Sequence, residues 1–218
     1  MVTAPHHLAA QAGLRILNDG GNALEAMIAA AAAIAVVYPH MNGLGGDNFW
    51  LIKVPGEQTP LAIDACGAAA RGASIENYHE RGLDVIPTRG PLAALTVAGA
   101  VSGWQAALNL SHKLGGSMPL SRLLEDATWY ARNGIAVTAS QAHNSRAKLH
   151  ELAAVAGFAQ TYLPNAAAPV AGSVLKNTAL ADTLDWLAAH GLDDFYRGDI
   201  ARANGADLCA AGSPLRLA

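Results

Sequence analysis

The sequence predicts an α+β fold that is built mostly of helices and contains a few strands. Two observations indicate this class. Apolar residues recur at helical spacing in several long segments, and two short apolar segments, 49–54 and 61–65, flank a turn that contains proline and glycine. A chain of 218 residues is long enough to bury its own core. This length suits one or two domains, and we expect residues 1–218 to form a single one.

The first two helices carry clear start and stop signals. Residues 6–17 have helical spacing and end at the turn sequence Asn-Asp-Gly-Gly, residues 18–21. A second helix is predicted over 23–37, because Asn22 can act as N-cap and Glu25, three positions later, completes a capping box. This second helix is apolar on nearly every face, so we expect it to be enclosed on all sides.

A glycine-rich segment, YPHMNGLGGDNFW at residues 38–50, follows the second helix. Pro39 prevents the helix from continuing, and the glycines are typical of a turn into a strand. The run does not match a dinucleotide-binding fingerprint, since it follows a helix and opens a strand rather than the reverse. We expect the turn to lead into a central strand and its missing side chains to permit close approach of a ligand or of a neighbouring chain.

The two apolar segments, 49–54 and 61–65, are predicted to pair as a hairpin with both faces buried. The remaining elements are predicted in the following order: a short helix at 74–81, a strand at 92–97, helices from 101 onward, at 120–132 and at 138–156, an irregular connection at 162–177, and helices at 180–189 and 195–209.

Composition excludes several functional classes. A formal net charge of −3 argues against binding to nucleic acid or to an anionic membrane. The apolar run 23–37 contains Glu25 and is shorter than the roughly 20 residues that a bilayer crossing needs. No secretory signal precedes this run, so we expect a cytoplasmic protein, or a periplasmic one if an upstream signal peptide has been removed.

Cysteines and histidines predict neither a disulfide framework nor a metal site. Cys66 and Cys209 lie far apart and lack the spacing of zinc ligands. His6 and His7 are adjacent and therefore point to different faces, and neither they nor His40 are followed by a carboxylate at ligand spacing. We expect no cofactor and no metal.

Several motifs resemble one known family. Gly-Gly-Asn-Ala at 20–23 stands between two helices, and Pro-His-x-x-Gly-x-Gly-Gly at 39–46 follows the second; FYRGDIA at 195–201 and AAGSPL at 210–215 also match. In this combination the chain resembles the γ-glutamyltransferase family of N-terminal-nucleophile hydrolases. The resemblance extends over nearly the whole sequence.

The resemblance implies a four-layer αββα sandwich, made by a precursor that cuts itself into a large and a small subunit. The nucleophile would be the new amino-terminal threonine of the small subunit, with its own α-amine as general base. Thr96, Thr128 and Thr138 lack the acid-Thr-Thr-His context of the cleavage site. We therefore expect no catalytic residue on this chain, which resembles most of a large subunit, incomplete at its carboxyl end. Its partner would be the small subunit, and the heterodimers could pair further.

Substrate recognition is where the sequence departs from the family pattern. Members acting on γ-glutamyl compounds carry Asp-x-Arg-Glu-x-Ala-Pro, whose arginine binds the substrate α-carboxylate. The stretch DACGAAARGAS, which starts at Asp64, places Cys66 at the arginine position. Losing a charge-assisted contact of roughly 1.5–3 kcal/mol would weaken glutamyl recognition by roughly ten- to a hundredfold.

Three residues are candidates for substrate binding. Arg71 and Arg89 are the arginines nearest in sequence to the lost position, and either could contact a carboxylate or be a solvated cation. Cys66 is interpreted as a small buried filler, with a catalytic thiol as the alternative.

These features predict an amidohydrolase that acts on a small amide without a glutamyl head group. Three alternatives stay open. They are a true γ-glutamyltransferase or glutathione hydrolase that uses a displaced arginine, an enzyme resembling cephalosporin acylase, and an inactive scaffold subunit.

Overall fold

The structure is a computed structural model that describes residues 1–217. The chain divides into two compact units. Unit 1 comprises Met1–Cys66, Ala98–Ala136 and Val174–Asp193; unit 2 comprises Gly67–Val97, Val137–Ser173 and Asp194–Ala218. The chain passes through each unit three times, and a single domain over 1–218 stays a prediction.

Unit 1 is a group of helices packed around one central helix, α2. Helix α2 packs mainly on α1, α5 and α4, and α5 in turn packs on α9. The bounds are α1 His7–Asn18, α2 Ala23–Val37, α4 Ala100–Lys113, α5 Leu120–Asn133 and α9 Thr178–His190. The predicted helices agree with these bounds to within one or two residues. Helix α2 has the predicted bounds.

The predicted capping box of α2 is present. Asn22 Oδ1 accepts hydrogen bonds from the backbone N–H groups of Leu24 and Glu25, and Glu25 Oε2 accepts one from Asn22 N at 2.8 Å. Glu25 is almost fully buried, and its Oε1 accepts a further bond from Met118 N at 2.9 Å. The enclosure of α2 is nearly complete, although Met27 keeps 41% of its surface exposed.

A hairpin of two antiparallel strands, β1 Asn48–Ile52 and β2 Leu61–Ala65, packs on α4. Gly103 of α4 permits close approach, since a Cβ there would lie 2.9 Å from Asn48 Oδ1. The pairing was predicted, but burial of both faces was wrong for this chain. Phe49 is 67% exposed and Leu51 is 79% exposed. Helix α4 packs on the hairpin, and residues 1–217 leave the face that carries these two side chains uncovered.

Unit 1 contains a second antiparallel pair of strands, β3 Ile135–Ala136 and β4 Val174–Leu175. The sequence did not predict this pair, because two-residue strands carry no measurable alternation. Gly134, at φ 101°, turns the chain from α5 into β3.

Unit 2 consists of helices of 4 to 12 residues joined by turns. They are α3 Ile75–His79, α6 Ala139–Ala147, α7 Leu149–Leu152, α8 Phe158–Tyr162, α10 Asp194–Arg197 and α11 Asp199–Ala210, with a 3₁₀ turn at Pro164–Ala166. No helix formed by residues 1–217 is long and apolar enough to cross a membrane.

Three predictions for unit 2 were wrong. The strand expected at 92–97 is reduced to one isolated bridge, Ala69 with Thr96, because turns occupy the residues from Gly90 to Ala94. The helix expected at 138–156 is interrupted at Lys148. The helix expected at 195–209 is divided at Gly198, where the Asp194 carboxylate accepts the backbone N–H groups that start α11.

Candidate functional site

The glycine-rich segment connects α2 to β1, as its sequence predicted. Tyr38 ends α2, and its carbonyl oxygen accepts hydrogen bonds from Met41 N and Asn42 N. Gly46 O accepts from Gly99 N at 2.9 Å and from Ala100 N at 2.8 Å, which ties the segment to the start of α4. The segment is therefore held at both ends by backbone hydrogen bonds.

The glycines of this segment do not need left-handed backbone angles. Gly43, Gly45 and Gly46 all have φ outside the positive range, and a Cβ on Gly45 would meet nothing within 4 Å. Gly43 and Gly45 are exposed. This chain alone does not require glycine at these two positions. Close approach of a partner subunit stays the prediction that accounts for them.

A cavity of about 360 Å³ lies between the segment and the helices behind it. Its apolar wall comes from α2 and α4, and its polar rim comes from the glycine-rich segment; the wall includes Ala31, Ile34 and Ala100, and the rim includes His40, Asn42 and Asp47. Such a mixed lining is suited to a small molecule or to a side chain from another polypeptide.

Two further residues that line this cavity have buried polar atoms without hydrogen-bond partners among residues 1–217. They are Trp104, whose Nε1–H is a donor, and Asn48, whose Oδ1 is an acceptor. An unpaired buried polar atom costs free energy, so both atoms favour a polar occupant nearby. Neither residue stands in a recognisable motif, so the sequence did not predict them as site residues.

Cys66 lies directly after β2, beside the glycine-rich segment. In the register of the hairpin Asn48 pairs with Ala65, so Asp47 and Cys66 occupy the next pair of positions. Cys66 N donates to Asp64 Oδ1 at 3.0 Å. The side chain is exposed, so the interpretation of Cys66 as a buried filler was wrong.

The electrostatic surroundings of Cys66 disfavour the thiolate. The negative charge of Asp47 raises the pKa of the Cys66 thiol, with smaller contributions from desolvation and from Asp64. A nucleophilic thiol needs the opposite environment. The geometry therefore does not support the catalytic-thiol alternative. The sequence did not indicate Asp47, since its position opposite Cys66 follows only from the strand register.

Arg71 lies in unit 2, in a turn that backbone contacts hold in place. Ala73 N donates to Ala70 O at 3.0 Å, and Ala70 N donates to Leu95 O at 2.8 Å. The Arg71 side chain is exposed, and it makes no hydrogen bond or ion pair within residues 1–217. Its positive charge is available to a ligand.

Arg89 also lies in unit 2, but its charge is engaged. Arg89 Nε contacts Glu151 Oε2 at 2.6 Å, and Lys148 Nζ contacts Glu151 Oε1 at 2.8 Å. Hydrogen bonds from Lys148 and then Arg89 lower the pKa of Glu151. The structure thus distinguishes two arginines that the sequence left equivalent.

The histidines considered as metal ligands form an aromatic cluster instead. The rings of His6 and His7 are stacked at 4.6 Å, and Tyr38 lies 4.2 Å from His40, measured between ring centroids. His6 Nδ1 accepts a hydrogen bond from Leu8 N and thereby caps α1. Within residues 1–217, no group of three or more His, Cys, Asp or Glu side chains is arranged to hold a metal ion.

Comparison of the sequence with known proteins gives consistent matches. The gamma-glutamyltranspeptidase family model matches residues 9–218. The oxamate amidohydrolase proenzyme of Klebsiella pneumoniae is 57% identical over the whole chain, which covers 41% of that protein. The glutathione hydrolase-like YwrD proenzyme of Bacillus subtilis is 40% identical over 93% of the chain, which covers 37% of that protein. The chain thus spans about two fifths of the length of these curated relatives.

Solved structures agree with the sequence matches. The gamma-glutamyltranspeptidase of Helicobacter pylori superposes with a TM-score of 0.89 at 27% identity, over 99% of this chain and 61% of the other. The cephalosporin acylase of Bacillus halodurans superposes with a TM-score of 0.86 at 32% identity, over 96% of this chain and 39% of the other. These matches confirm the fold class expected for an N-terminal-nucleophile hydrolase. The chain belongs to the gamma-glutamyltranspeptidase family.

Proposed function

We propose that this chain is the large-subunit part of a self-cleaving amidohydrolase whose substrate is oxamate, hydrolysed to oxalate and ammonia. The observation that carries the proposal is the 57% identity, over the entire chain, to an oxamate amidohydrolase proenzyme. The exposed Cys66 beside two carboxylates supports it further, since this position offers no cation for a glutamyl head group.

The reaction divides between two polypeptides. The threonine hydroxyl of the companion subunit attacks the amide carbonyl carbon, its proton passes through the α-amine to the departing nitrogen, and ammonia leaves. Water then attacks the acyl ester and releases oxalate with the regenerated threonine. The present chain contributes binding groups, and Arg71, Arg89 and Cys66 are the candidates for contact with the substrate.

The partner in this proposal is the small subunit from the same precursor. The hairpin supports it, because its exposed face carries Phe49 and Leu51 and, as far as residue 217, its sheet consists of two strands. A two-stranded sheet with one bare apolar face gains stability when further strands cover it. Curated relatives named as proenzymes, of which the chain spans about two fifths, also support it. A dimer of such heterodimers stays a prediction.

The test uses the full-length protein. Intact mass analysis should show cleavage into two chains, and the processed protein should release ammonia from oxamate with a higher kcat/KM than it shows for a γ-glutamyl anilide. The control replaces the new amino-terminal threonine by alanine, which should abolish both cleavage and ammonia release. Efficient glutamyl transfer with no turnover of oxamate would contradict the proposal.

A glutathione hydrolase is the second candidate function. It is favoured by the 40% identity to a glutathione hydrolase-like proenzyme. This function requires a cation for the α-carboxylate at a place other than position 66. The same pair of substrates separates the two candidates, since a glutathione hydrolase would prefer the γ-glutamyl anilide.

A further inference from the structure

We propose that Arg71 binds the carboxylate of the substrate and thereby selects an anionic amide. This inference rests on the proposed function and names the residue that determines its specificity. Three features of unit 2 carry it. They are the fixed backbone around Arg71, the absence of a charged partner for its guanidinium within residues 1–217, and the ion pair between Glu151 and Arg89, the competing candidate.

The backbone that carries Arg71 is anchored on both sides. Before it, Ala70 N donates to Leu95 O, and Ala69 forms a β-bridge with Thr96. After it, Gly72 lies against Pro214, so closely that a Cβ on this glycine would come within 3.0 Å of Pro214 O. The position of the Arg71 Cα is therefore determined by contacts that are distant in sequence. A side chain on a fixed backbone loses less conformational entropy when it binds a ligand.

Among residues 1–217, the guanidinium group of Arg71 has no competing partner. Arg81 Nε donates to Asn77 Oδ1 at 3.1 Å, and Arg89 is paired with Glu151. Arg71 makes no such contact within residues 1–217, so all of its N–H donors are open to a ligand, whereas the Nε donor of Arg89 is committed to Glu151. A planar guanidinium with free donors matches the two oxygens of a carboxylate in a bidentate arrangement.

Arg146 of α6 is likewise exposed and unpaired within the described part of the chain. It lies in a helix rather than in the segment that directly follows β2 and Cys66. Replacing it removes the same charge from the same unit. It therefore provides a matched control for changes in net charge.

The kinetic consequence of losing Arg71 is specific. The carboxylate of oxamate takes no part in bond breaking, so its contact with arginine is equally strong in the ground state and in the transition state. Loss of such uniform binding raises KM and leaves kcat nearly unchanged. A charge-assisted bidentate contact predicts a rise in KM of about ten- to a hundredfold.

The experiment compares full-length, self-cleaved wild type with four variants: Arg71→Gln, Arg71→Lys, Arg89→Gln and Arg146→Gln. Oxamate turnover gives KM and kcat, and inhibition by oxalate gives a second measure of carboxylate binding. We expect Arg71→Gln to raise KM and the oxalate inhibition constant together, Arg71→Lys to restore part of the affinity, and Arg146→Gln to match wild type. Self-cleavage and thermal stability report whether each variant is folded.

Several results would overturn the inference. A fall in kcat at unchanged KM for Arg71→Gln would assign Arg71 a different role. An equal rise in KM for Arg146→Gln would show that the effect comes from the change in net charge and not from a contact with the substrate. A large rise in KM for Arg89→Gln with none for Arg71→Gln would transfer the contact to Arg89. An Arg71→Gln variant that fails to fold or to cleave itself would show that Arg71 serves the structure. Failure of the proposed function is distinguishable, because wild type itself would then release no ammonia from oxamate.

Discussion

At the scale of single residues, the environment of a side chain decides its chemistry more than its identity does. Cys66 could have been a buried filler or a nucleophile when judged from sequence. The strand register places Asp47 beside it, and that carboxylate raises the pKa of the thiol. A protonated thiol is a poor nucleophile. The two neighbouring carboxylates also repel an anionic head group. The position is therefore permissive for a substrate without a glutamyl group.

His6 predicts a pH dependence of stability. Its Nδ1 accepts the Leu8 N–H, so the ring must be unprotonated at that nitrogen, and burial, with a smaller contribution from His7, lowers the pKa of His6 below its ordinary value of 6.5. The unfolded chain then binds the proton more readily than the folded chain. The contribution of His6 to the free energy of unfolding is therefore fully present above pH 6.5. It is lost as the pH falls through the pKa that His6 has in the folded protein.

The variant His6→Asn keeps a capping acceptor and removes the titration. We expect the thermal midpoint of His6→Asn to fall less than that of wild type between pH 7.5 and pH 5, measured by calorimetry. His143→Asn, an exposed substitution on α6, is the control and should follow wild type. An unchanged pH dependence in His6→Asn would show that the cap does not titrate in this range.

At the scale of elements, the helices with local start and stop signals were predictable, and those interrupted by distant contacts were not. The residues of the capping box of α2 and its long apolar stretch follow one another directly in the sequence. The division at Gly198 depends on the Asp194 carboxylate accepting two backbone N–H groups of α11. Periodicity extends across such a site, so a pattern-based prediction joins the two helices.

Glu25 gives a prediction for α2. Its two carboxylate oxygens accept backbone N–H groups from Asn22 and Met118, and the side chain is almost fully buried. Glu25→Gln replaces one acceptor by a donor, which leaves a buried N–H facing another. We expect a loss of about 1–3 kcal/mol in the free energy of unfolding, or about 2–12 °C in the thermal midpoint. Glu57→Gln, in the exposed hairpin turn, should change neither measurement beyond error.

At the scale of the whole molecule, two features bear on the proposed partner subunit: the length of the relatives and the exposed face of the hairpin. It spans about two fifths of the curated relatives, and its hairpin leaves one apolar face uncovered within the described residues. An exposed face of this kind is costly in water and favours association. This feature links the fold of the chain to the partner proposed for it.

Leu51 tests that link. Leu51→Asp places a charge on the uncovered hairpin face, where 79% of the leucine surface is exposed in this chain. If strands of the companion subunit cover this face, burial of the unpaired carboxylate should block self-cleavage or separate the two subunits on size-exclusion chromatography. Val85→Asp introduces the same charge at a residue of unit 2 that is 76% exposed and should have little effect. Normal assembly of Leu51→Asp would exclude the face as an interface.

The sequence by itself determined the elements whose signals are local: α1, α2 and the hairpin follow from spacing, caps and turn residues within a few positions of each other. It also determined the family, because the glycine and asparagine motifs stand in consecutive residues. Only the tertiary structure placed Asp47 beside Cys66, and only it separated Arg71 from Arg89, whose partner Glu151 lies 62 residues away. Charge and burial depend on neighbours in space, and a linear pattern does not specify which distant residues become neighbours.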